Sequence, residues 1–317
     1  MFLGVDGGGT KTCFCLMNQQ GEVVSTVTTG SCSYFSTGFD GMEQALRHGV
    51  DEACREAAIA TEAIEFAFFG LPTYGESSKD LPLLDEIPSR ILGHDRYRCD
   101  NDMVCGWAGS LGATDGINVI AGTGSMAYGE HGGLKARCGG WSELFGDEGS
   151  AYWIAVQGLS CFSRMSDGRL PKSVLHARLK SSLQLANELD LIDVVVNQWQ
   201  GDRAKIASLS KLVVAAAEEG DRHALKIIGR AAGELAEQVD VTRQRLEFAD
   251  EEEVAVSYSG GVFNAGEMLV KAFKTELSAL SARYALRSPL YSPAVGAAMY
   301  AARLNHTPII AAVASSS

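Results

Sequence analysis

The stretch 4-GVDGGGTKT-12 follows a short apolar run at the start of the chain, and it decides how the fold is interpreted. It joins an acid, Asp6, to three consecutive glycines and a Thr-Lys pair. Glycine loses more backbone freedom on folding than any other residue, so three in a row indicate a turn with a specific purpose. Backbone amides in such a turn are typical ligands of phosphate.

Two common phosphate-binding motifs do not fit this stretch. A Walker A loop needs Gly-Lys followed by Ser or Thr, whereas this chain reads Gly9-Thr10-Lys11. A dinucleotide fingerprint needs a helix after its glycines, but residues 11–17 are alternating, β-branched and aromatic enough to predict a strand. The turn is therefore predicted to lie within a β-hairpin.

Asp6 indicates that a cation accompanies the phosphates. A carboxylate beside a polyphosphate is repulsive unless a cation lies between them, and Mg²⁺ is the usual choice. We expect Asp6 to reach the β and γ phosphates through Mg²⁺, by way of a water molecule, with the nearby cradle formed by Gly8, Gly9, Thr10 and Lys11. A purely structural hairpin, in which the glycines adopt positive φ, is the alternative interpretation.

The composition is that of an ordinary globular protein. The 317 residues include 46% apolar and 21% charged side chains, and 27 Lys and Arg against 39 Asp and Glu give a net charge of −12. That balance argues against a nucleic-acid partner or an anionic membrane surface. No run is long enough to span a membrane, no signal peptide is visible, and the eight cysteines show no zinc spacing. We therefore expect a cytoplasmic protein with reduced thiols.

Both halves of the chain begin with a similar pattern, which predicts an internal duplication. Each opens with strands joined by a glycine-rich turn and continues in strand–helix alternation; the second half starts at 117-INVIAGTGSMAYGEHGGLKARCGG-140. A helix is predicted over 40–60 and a long helical region over roughly 171–248. The pattern predicts two similar α/β lobes, the first formed by 1–115 plus 294–317 and the second by 116–293.

Two further glycine turns occupy comparable positions in the second half. The turn 121-AGTGS-125 follows a predicted strand, and its amides and the Thr123 hydroxyl can approach the same phosphates. The turn 259-SGGVFNAG-266 also follows a strand, where glycines would let a flat adenine lie against the backbone, although close strand-to-helix packing explains them nearly as well. The predicted contacts are Gly122, Thr123, Gly124, Gly260 and Gly261.

In this order the three turns resemble the phosphate 1, phosphate 2 and adenosine motifs of the actin-like superfamily, shared by hexokinases, actin and heat-shock ATPases. More narrowly, the chain resembles the BadF/BadG-type ATPase family, which contains animal-type N-acetylglucosamine kinase. The resemblance implies two ribonuclease-H-like lobes with an interlobe cleft, and ATP and a sugar as ligands. It rests on GVDGGGTKT (4–12), NDMVCGWAG (101–109), IAGTGSMAYG (120–129), CGGWSELFGDEGSAYWIA (138–155) and SGGVFNAGE (259–267).

Phosphoryl transfer to a sugar hydroxyl benefits from a carboxylate that accepts the hydroxyl proton. By resemblance, Asp102 is this base; its alternative role is to cap the helix that follows, which Asp100 and Asn101 could also do. Asp147 is likewise a sugar contact by resemblance or a plain helix cap by position. The predicted sugar-binding residues are Ser33, Tyr34, Tyr74, Gly75, Asp102, Thr123, Gly140, Trp141 and Asp147.

Several residues depart from the kinase pattern. Tyr34, with Ser33 beside it, stands where the kinases carry an Asn that binds sugar hydroxyls, and 70-GLPTYGESSKD-80 carries Pro-Thr-Tyr-Gly in place of small residues. Ser142 replaces a common Gly. The expected acceptor is an amino sugar, N-acetylglucosamine or glucosamine, with a muramic derivative left open.

The leading hypothesis is thus an ATP- and Mg²⁺-dependent sugar kinase. One alternative is an ATPase that energises a partner enzyme, as activators of 2-hydroxyacyl-CoA dehydratases in this family do; those need paired cysteines for an iron–sulfur cluster, which the second half of this chain lacks. A non-catalytic sugar sensor is another alternative. A homodimer is left open.

Overall fold

The computed structural model describes residues 1–281, 283–307 and 309. The chain forms two compact units: unit 1 comprises Met1–Asp115 and the described residues from Ser288 onward, and unit 2 comprises Gly116–Arg287. Each unit contains a five-stranded mixed sheet with helices, so the predicted α/β fold class is confirmed. No helix in the described ranges has both the length and the apolar character needed to cross a bilayer.

Unit 1 is built on a sheet with the strand order β3-β2-β1-β4-β5. β1, β2 and β3 form an antiparallel meander, while β4 and β5 run parallel to β1. The elements are β1 (Phe2–Gly7), β2 (Lys11–Met17), β3 (Val23–Gly30), α1 (Tyr34–Glu56), a 3₁₀ turn (Thr61–Ala63), β4 (Phe66–Leu71), α2 (Leu81–Leu92), β5 (Tyr97–Asn101) and α3 (Met103–Leu111), joined later by α12 (Pro293–Leu304).

Unit 2 repeats this arrangement, with the strand order β10-β9-β6-β7-β8. Here β6, β7 and β8 form the antiparallel meander, and β9 and β10 run parallel to β6. The duplicated pattern in the sequence therefore corresponds to a repeated sheet topology. The elements are β6 (Gly116–Ala121), β7 (Ser125–His131), β8 (Leu134–Gly139), α4 (Ala151–Ser166), α5 (Val174–Ser182), α6 (Asp190–Ile192), a π-helix (Asp193–Gln198), α7 (Arg203–Ser208), α8 (Ser210–Glu218), α9 (Arg222–Arg245), β9 (Val254–Ser259), α10 (Gly261–Asn264), α11 (Glu267–Leu280) and β10 (Tyr284–Arg287).

The return of the chain to unit 1 comes at Ser288, whereas the sequence placed it at residue 294. The segment before α12 already belongs to unit 1 because the backbone N–H of Tyr291 donates to the carbonyl of Gly109 on α3 at 2.9 Å.

Small residues let α12 lie directly against β1 and α3. A Cβ added to Gly4 on β1 would lie 2.2 Å from the backbone nitrogen of Ala298, and one added to Gly296 would lie 1.9 Å from that of Gly109. Neither contact can relax by moving a side chain, because both partners are backbone atoms. This packing fixes α3 relative to the sheet, and with it the segment that precedes α3.

Two helix predictions differ from the structure. α1 begins at Tyr34 instead of residue 40, because a short first turn joins the main helix across a kink at Gly38 (φ 70°). The predicted helical region over 171–248 is divided into several helices. It is interrupted where Asp202 and Asp221 cap α7 and α9 with their side chains.

Candidate functional site

The first glycine turn joins β1 to β2, which pair from Gly7 opposite Thr12. Neither Gly8 nor Gly9 has a positive φ, so the alternative of a turn that needs glycine for left-handed backbone does not describe them. A Cβ at Gly8 would lie 2.9 Å from the Lys11 carbonyl, whereas one at Gly9 would meet no atom within 4 Å. Gly9, Thr10 and Lys11 are exposed. The turn therefore has open space at the position where a phosphate would approach its backbone.

Two carboxylates lie at the end of the same sheet. Asp6 on β1 pairs with Gly70 on β4, and a Cβ added to Gly70 would lie 3.2 Å from the Cα of Asp102. The glycine thus allows the segment before α3 to come close to the end of β1. Burial raises the pKa of Asp6 to about 7, with a further increase from the nearby charge of Asp102 and an opposing effect of Lys11. A buried carboxylate beside a second carboxylate is a group whose ionised form a nearby cation would stabilise.

Asp102 occupies the N-cap position of α3, but it does not cap the helix with its side chain. Asn101 fills that role, because its Oδ1 accepts the N–H of Met103 at 3.1 Å and its Nδ2 donates to the carbonyl of Tyr74 at 3.1 Å. The Asp102 side chain makes no capping hydrogen bond. Burial raises the pKa of Asp102 to about 6; the backbone N–H groups of Met103 and Asp102 oppose the increase, and the charge of Glu76 adds to it. A carboxylate with this pKa is largely ionised at neutral pH and can accept a proton.

The two tyrosines singled out by the sequence have partners within unit 1. The buried Tyr34 donates to Asp80 at 3.2 Å and stacks on Phe39, with ring centroids 4.7 Å apart. Tyr74 donates to Asp85 at 2.7 Å. Both hydroxyl groups therefore hold the segment between β4 and α2 in place, and each already donates its proton to a carboxylate.

The two remaining predicted residues of unit 1 shape the backbone. Ser33 is buried at the N-cap position of α1, where its carbonyl accepts hydrogen bonds from the hydroxyl groups of Ser36 and Thr37. Gly75 has a φ of 86°, and a Cβ there would meet no atom within 4 Å. Gly75 therefore serves the conformation of the turn that carries Tyr74.

The second glycine turn, in unit 2, is held by the start of α4. The carbonyls of Gly122 and Thr123 accept the N–H groups of Ala151 at 2.8 Å and Tyr152 at 3.4 Å. Gly122 lacks a positive φ, and a Cβ there would meet nothing within 4 Å. The Thr123 side chain is exposed. This turn therefore resembles the first one: a supported backbone with open space over a glycine.

Asp147 is a buried carboxylate rather than a helix cap. The N-cap of α4 is Ser150, whose Oγ accepts the N–H of Trp153 at 3.1 Å. Asp147 is 3% exposed and has a φ of 58°, unusual for a residue with a side chain. Its Oδ1 accepts the N–H of Ser125 at 3.3 Å and its Oδ2 contacts Nη2 of Arg203 at 2.5 Å. Burial raises the pKa of Asp147, while the Ser125 N–H and Arg203 oppose the increase.

An exposed apolar loop precedes Asp147. Trp141 is 69% exposed, and Leu144 and Phe145 are 82% and 73% exposed. The carbonyl of Gly140, at the start of the loop, accepts a hydrogen bond from Arg137. Large apolar side chains at such exposure are typical of a surface that contacts a ligand or another part of a protein.

The third glycine pair divides into two roles. Gly260 has a φ of 103°, and a Cβ there would lie 2.4 Å from the carbonyl oxygen of Ala121 and 2.9 Å from the nitrogen of Gly122. It is therefore required for close packing of the end of β9 on the end of β6 and the second turn. Gly261, the first residue of α10, meets no atom within 4 Å.

The model of the BadF/BadG/BcrA/BcrD ATPase family matches residues 3–301. The chain belongs to this family. The match covers both units, from β1 to α12, and includes all three glycine turns. Membership of an ATPase family implies ATP as the nucleotide.

Curated relatives in the comparison are sugar kinases. The chain is 29% identical to the N-acetyl-D-glucosamine kinase of Dictyostelium discoideum, over 95% of this chain and 97% of that one. It is also 29% identical to the N-acetylmuramic acid/N-acetylglucosamine kinase of Clostridium acetobutylicum, over 87% and 90%. A crystal structure of a candidate N-acetylglucosamine kinase from Chromobacterium violaceum matches with a TM-score of 0.69 and 25% identity, over 94% and 97%. The predicted two-lobed actin-like fold is confirmed by these neighbours.

For this member of the BadF/BadG/BcrA/BcrD family, sequence reasoning missed Arg203. The residue lies on α7, 56 positions after the Asp147 it contacts, in a region predicted only to be helical. No motif or spacing marks it, because the contact depends on how α7 packs beside the turn at Gly124. The capping role of Asn101, by contrast, was visible in the sequence as an alternative cap.

Proposed function

We propose that the protein is a kinase that transfers the γ-phosphoryl group of ATP to a hydroxyl of an amino sugar, with N-acetylglucosamine or glucosamine as acceptor. The observation that carries the proposal is Asp102: a partly buried carboxylate, released from capping by Asn101, at the sheet end that bears Asp6 and the open glycine turn. A general base works best with a pKa near the operating pH, and the value of about 6 for Asp102 meets this condition.

The nucleotide side of the proposal concerns two glycine turns, one in each unit. In unit 1, the exposed backbone of Gly8 and Gly9, with Thr10 and Lys11, would bind phosphate oxygens through N–H groups, a hydroxyl and an ammonium. In unit 2, Gly122, Thr123 and Gly124 would contact phosphate, while Gly261 leaves room for the adenosine. Gly260 acts on this side indirectly, by supporting the backbone at Gly122.

Asp6 is suited to hold a Mg²⁺ ion together with ATP. Within the described residues, no group of three or more His, Cys, Asp and Glu side chains is arranged to hold a metal by itself. Mg²⁺ is commonly bound by one or two carboxylates together with phosphate oxygens and water, so Asp6 would hold it through water once ATP is present. When bound, the ion would neutralise phosphate charge; its positive field would also lower the pKa of Asp6 from about 7.

On the sugar side, Asp102 would accept the proton of the attacking hydroxyl, and Asp147 would accept hydrogen bonds from other hydroxyls. The exposed Trp141 face suits the apolar face of a pyranose or the methyl of an acetamido group. Tyr34 and Tyr74 already donate to Asp80 and Asp85, so we propose that they shape the sugar site rather than donate hydrogen bonds to the sugar. Ser33 and Gly75 would support the sugar site through their backbone conformation. Thr123 and Gly140 would lie beside the acceptor sugar.

A coupled assay of ADP release tests the proposal. The purified protein is incubated with ATP and Mg²⁺ and with glucose, glucosamine, N-acetylglucosamine, N-acetylmannosamine or N-acetylmuramic acid. We expect sugar-dependent ADP release, highest with N-acetylglucosamine or glucosamine, and a phosphorylated sugar detected by mass spectrometry. ADP release that no sugar increases would contradict the proposal and favour an ATPase that acts on a partner.

The remaining proposals concern location and assembly. All eight cysteines are free thiols in the structure, five of them buried, which accords with a cytoplasmic protein. We also propose that the protein forms a homodimer, which light scattering of the purified protein at two concentrations would test.

A further inference from the structure

We infer that Arg203 is a positioning residue, which holds the Asp147 carboxylate and the loop 141–146 in the conformation that receives the sugar. The inference rests on the proposed function, which places Asp147 and Trp141 on the sugar side. It adds a residue from α7, a helix that neither the motifs nor the glycine turns include.

Arg203 joins two points of this loop. It begins α7, whose start is fixed by Asp202: the Asp202 side chain accepts the N–H of Lys205 at 2.8 Å. Its Nη2 contacts Oδ2 of Asp147 at 2.5 Å, and its Nε lies 3.2 Å from Oε2 of Glu143. One guanidinium group therefore forms an ion pair with a carboxylate in the middle of the loop and a hydrogen bond to another just after its end. A planar guanidinium is suited to such a bridge, whereas an ammonium group is not.

The second glycine turn is shaped around this ion pair. A Cβ added to Gly124 would lie 2.6 Å from Nη2 of Arg203 and 2.8 Å from Oδ2 of Asp147. Gly124 lacks a positive φ, so space rather than backbone conformation requires the glycine. The N–H of the next residue, Ser125, donates to Asp147 as well. The arginine, the carboxylate and the turn therefore form one packed group.

Without the arginine, the loop would lose a fixed point near its exposed end. Arg137 holds the base of the loop at the carbonyls of Gly139 and Gly140. Beyond that base, Leu144 and Phe145 are mostly exposed and give the loop little packing of their own. The ion pairs of Arg203 are thus well placed to restrict the conformations of the loop before the sugar binds, which lowers the entropy lost on binding.

The charge of Arg203 also keeps Asp147 ionised. Asp147 is 3% exposed, and it faces Glu143 and Glu148 as well as Arg203. Burial and the two glutamates raise the pKa of Asp147, whereas Arg203 and the Ser125 N–H lower it. Removal of the guanidinium would leave one backbone N–H as the stabilising contact. Asp147 would then take up a proton at higher pH, and a protonated carboxyl is a weaker acceptor for sugar hydroxyls.

The experiment compares Arg203→Met with Arg178→Met. Arg178 is a matched control in the same unit: it pairs with Glu219, and its side chain is 38% exposed against 41% for Arg203. We expect Arg203→Met to raise KM for the sugar about tenfold or more, the effect of losing a hydrogen bond to a charged group, with a smaller effect on KM for ATP. The rise in sugar KM should be larger at pH 6 than at pH 8. Arg203→Lys should recover part of the affinity, and Arg178→Met should behave as the wild type.

A second readout does not depend on activity. Loss of the guanidinium should raise the folded-state pKa of Asp147 further above its unfolded value than in the wild type, so the folded variant holds this proton more tightly. The variant should therefore lose stability relative to the wild type as pH rises from 4 to 7, measured by urea unfolding without ligands. Combining Arg203→Met with Asp147→Asn should abolish this pH dependence.

The outcomes separate the inference from the proposed function. A sugar KM and a pH-dependent stability equal to those of Arg178→Met would overturn the inference, as would a change confined to KM for ATP. If the wild type phosphorylates no sugar, the proposed function fails together with the sugar part of the inference, while the stability measurement still decides whether Arg203 holds Asp147 ionised.

Discussion

Replacement of Asp102 by Asn tests the proposed base directly. The amide has nearly the same shape as the carboxylate but cannot accept a proton at neutral pH. Since Asn101, not Asp102, caps α3, the substitution leaves the start of the helix intact. We expect kcat to fall on the order of a hundredfold or more, as for the loss of a general base, while KM for ATP stays unchanged.

The pKa of Asp102 sets the pH dependence expected of the wild type. Burial raises this pKa to about 6, and only the ionised form can act as a base. At one pH unit below the pKa, about a tenth of the molecules carry the ionised form, so kcat/KM should fall about tenfold per pH unit on the acid side. Asp6 has a pKa of about 7 without metal, so the profile should be recorded at saturating Mg²⁺.

The assay is coupled ADP release at saturating ATP with the preferred sugar, from pH 5 to pH 8. Asp100→Asn is the matched control, because Asp100 is the carboxylate two residues earlier on β5 and its Oδ1 accepts the N–H of Asn101. The control should keep kcat within a few-fold of the wild type, whereas Asp102→Asn should lose both its activity and the acid limb. A kcat for Asp102→Asn close to that of the control, or an unchanged acid limb in that variant, would refute the role of Asp102.

Three further predictions concern glycines and the metal. Gly296→Ala should destabilise the protein by about 3 kcal/mol or more in urea unfolding, because its Cβ would lie 1.9 Å from the nitrogen of Gly109. The control is Gly229→Ala, whose Cβ would meet no atom within 4 Å and which should stabilise the protein by about 0.5–1 kcal/mol. Gly9→Ala should keep the wild-type melting temperature, because its Cβ would meet no protein atom within 4 Å. It should raise KM for ATP about tenfold, because the Cβ would occupy the space through which a phosphate reaches the backbone N–H groups; an unchanged KM would contradict phosphate binding there. Asp6→Asn should need more Mg²⁺ for half-maximal activity and, without metal, should be more stable than the wild type at pH 8 but not at pH 4, because burial raises the pKa of Asp6.

The strands and their glycine turns could be predicted because their signals are local. Residues 11–17 alternate strongly enough to exclude a helix after the first turn, and the structure has a strand there, Lys11–Met17. The same signal after 121-AGTGS-125 predicted the second hairpin. Helix starts were harder: α1 begins at Tyr34 because Gly38 joins a short turn to the main helix, a kink that periodicity alone does not reveal.

Side-chain partners distant in sequence could not be predicted. The sequence marked Tyr34 and Tyr74 as candidate site residues, but it did not reveal their hydrogen-bond acceptors, Asp80 and Asp85. Those contacts depend on how α2 packs. Arg203 was missed for the same reason. A pattern read along the chain reports which face of an element is apolar, whereas an ion pair between a loop and a helix depends on the tertiary arrangement of both.

Some glycines of the three turns are required by packing within the protein, whereas others are best explained by a ligand. Gly124 and Gly260 are explained by the protein itself, since a Cβ at either would collide with a neighbouring ion pair or backbone. Gly9 and Gly122 have ordinary φ and open space, so nothing within their own unit requires a glycine. Gly229 on α9 meets the same two conditions, so they are not sufficient alone. At Gly9 and Gly122 they coincide with a turn at the end of a buried strand, where bare backbone can approach a phosphate, and there the missing side chain is best explained by the ligand.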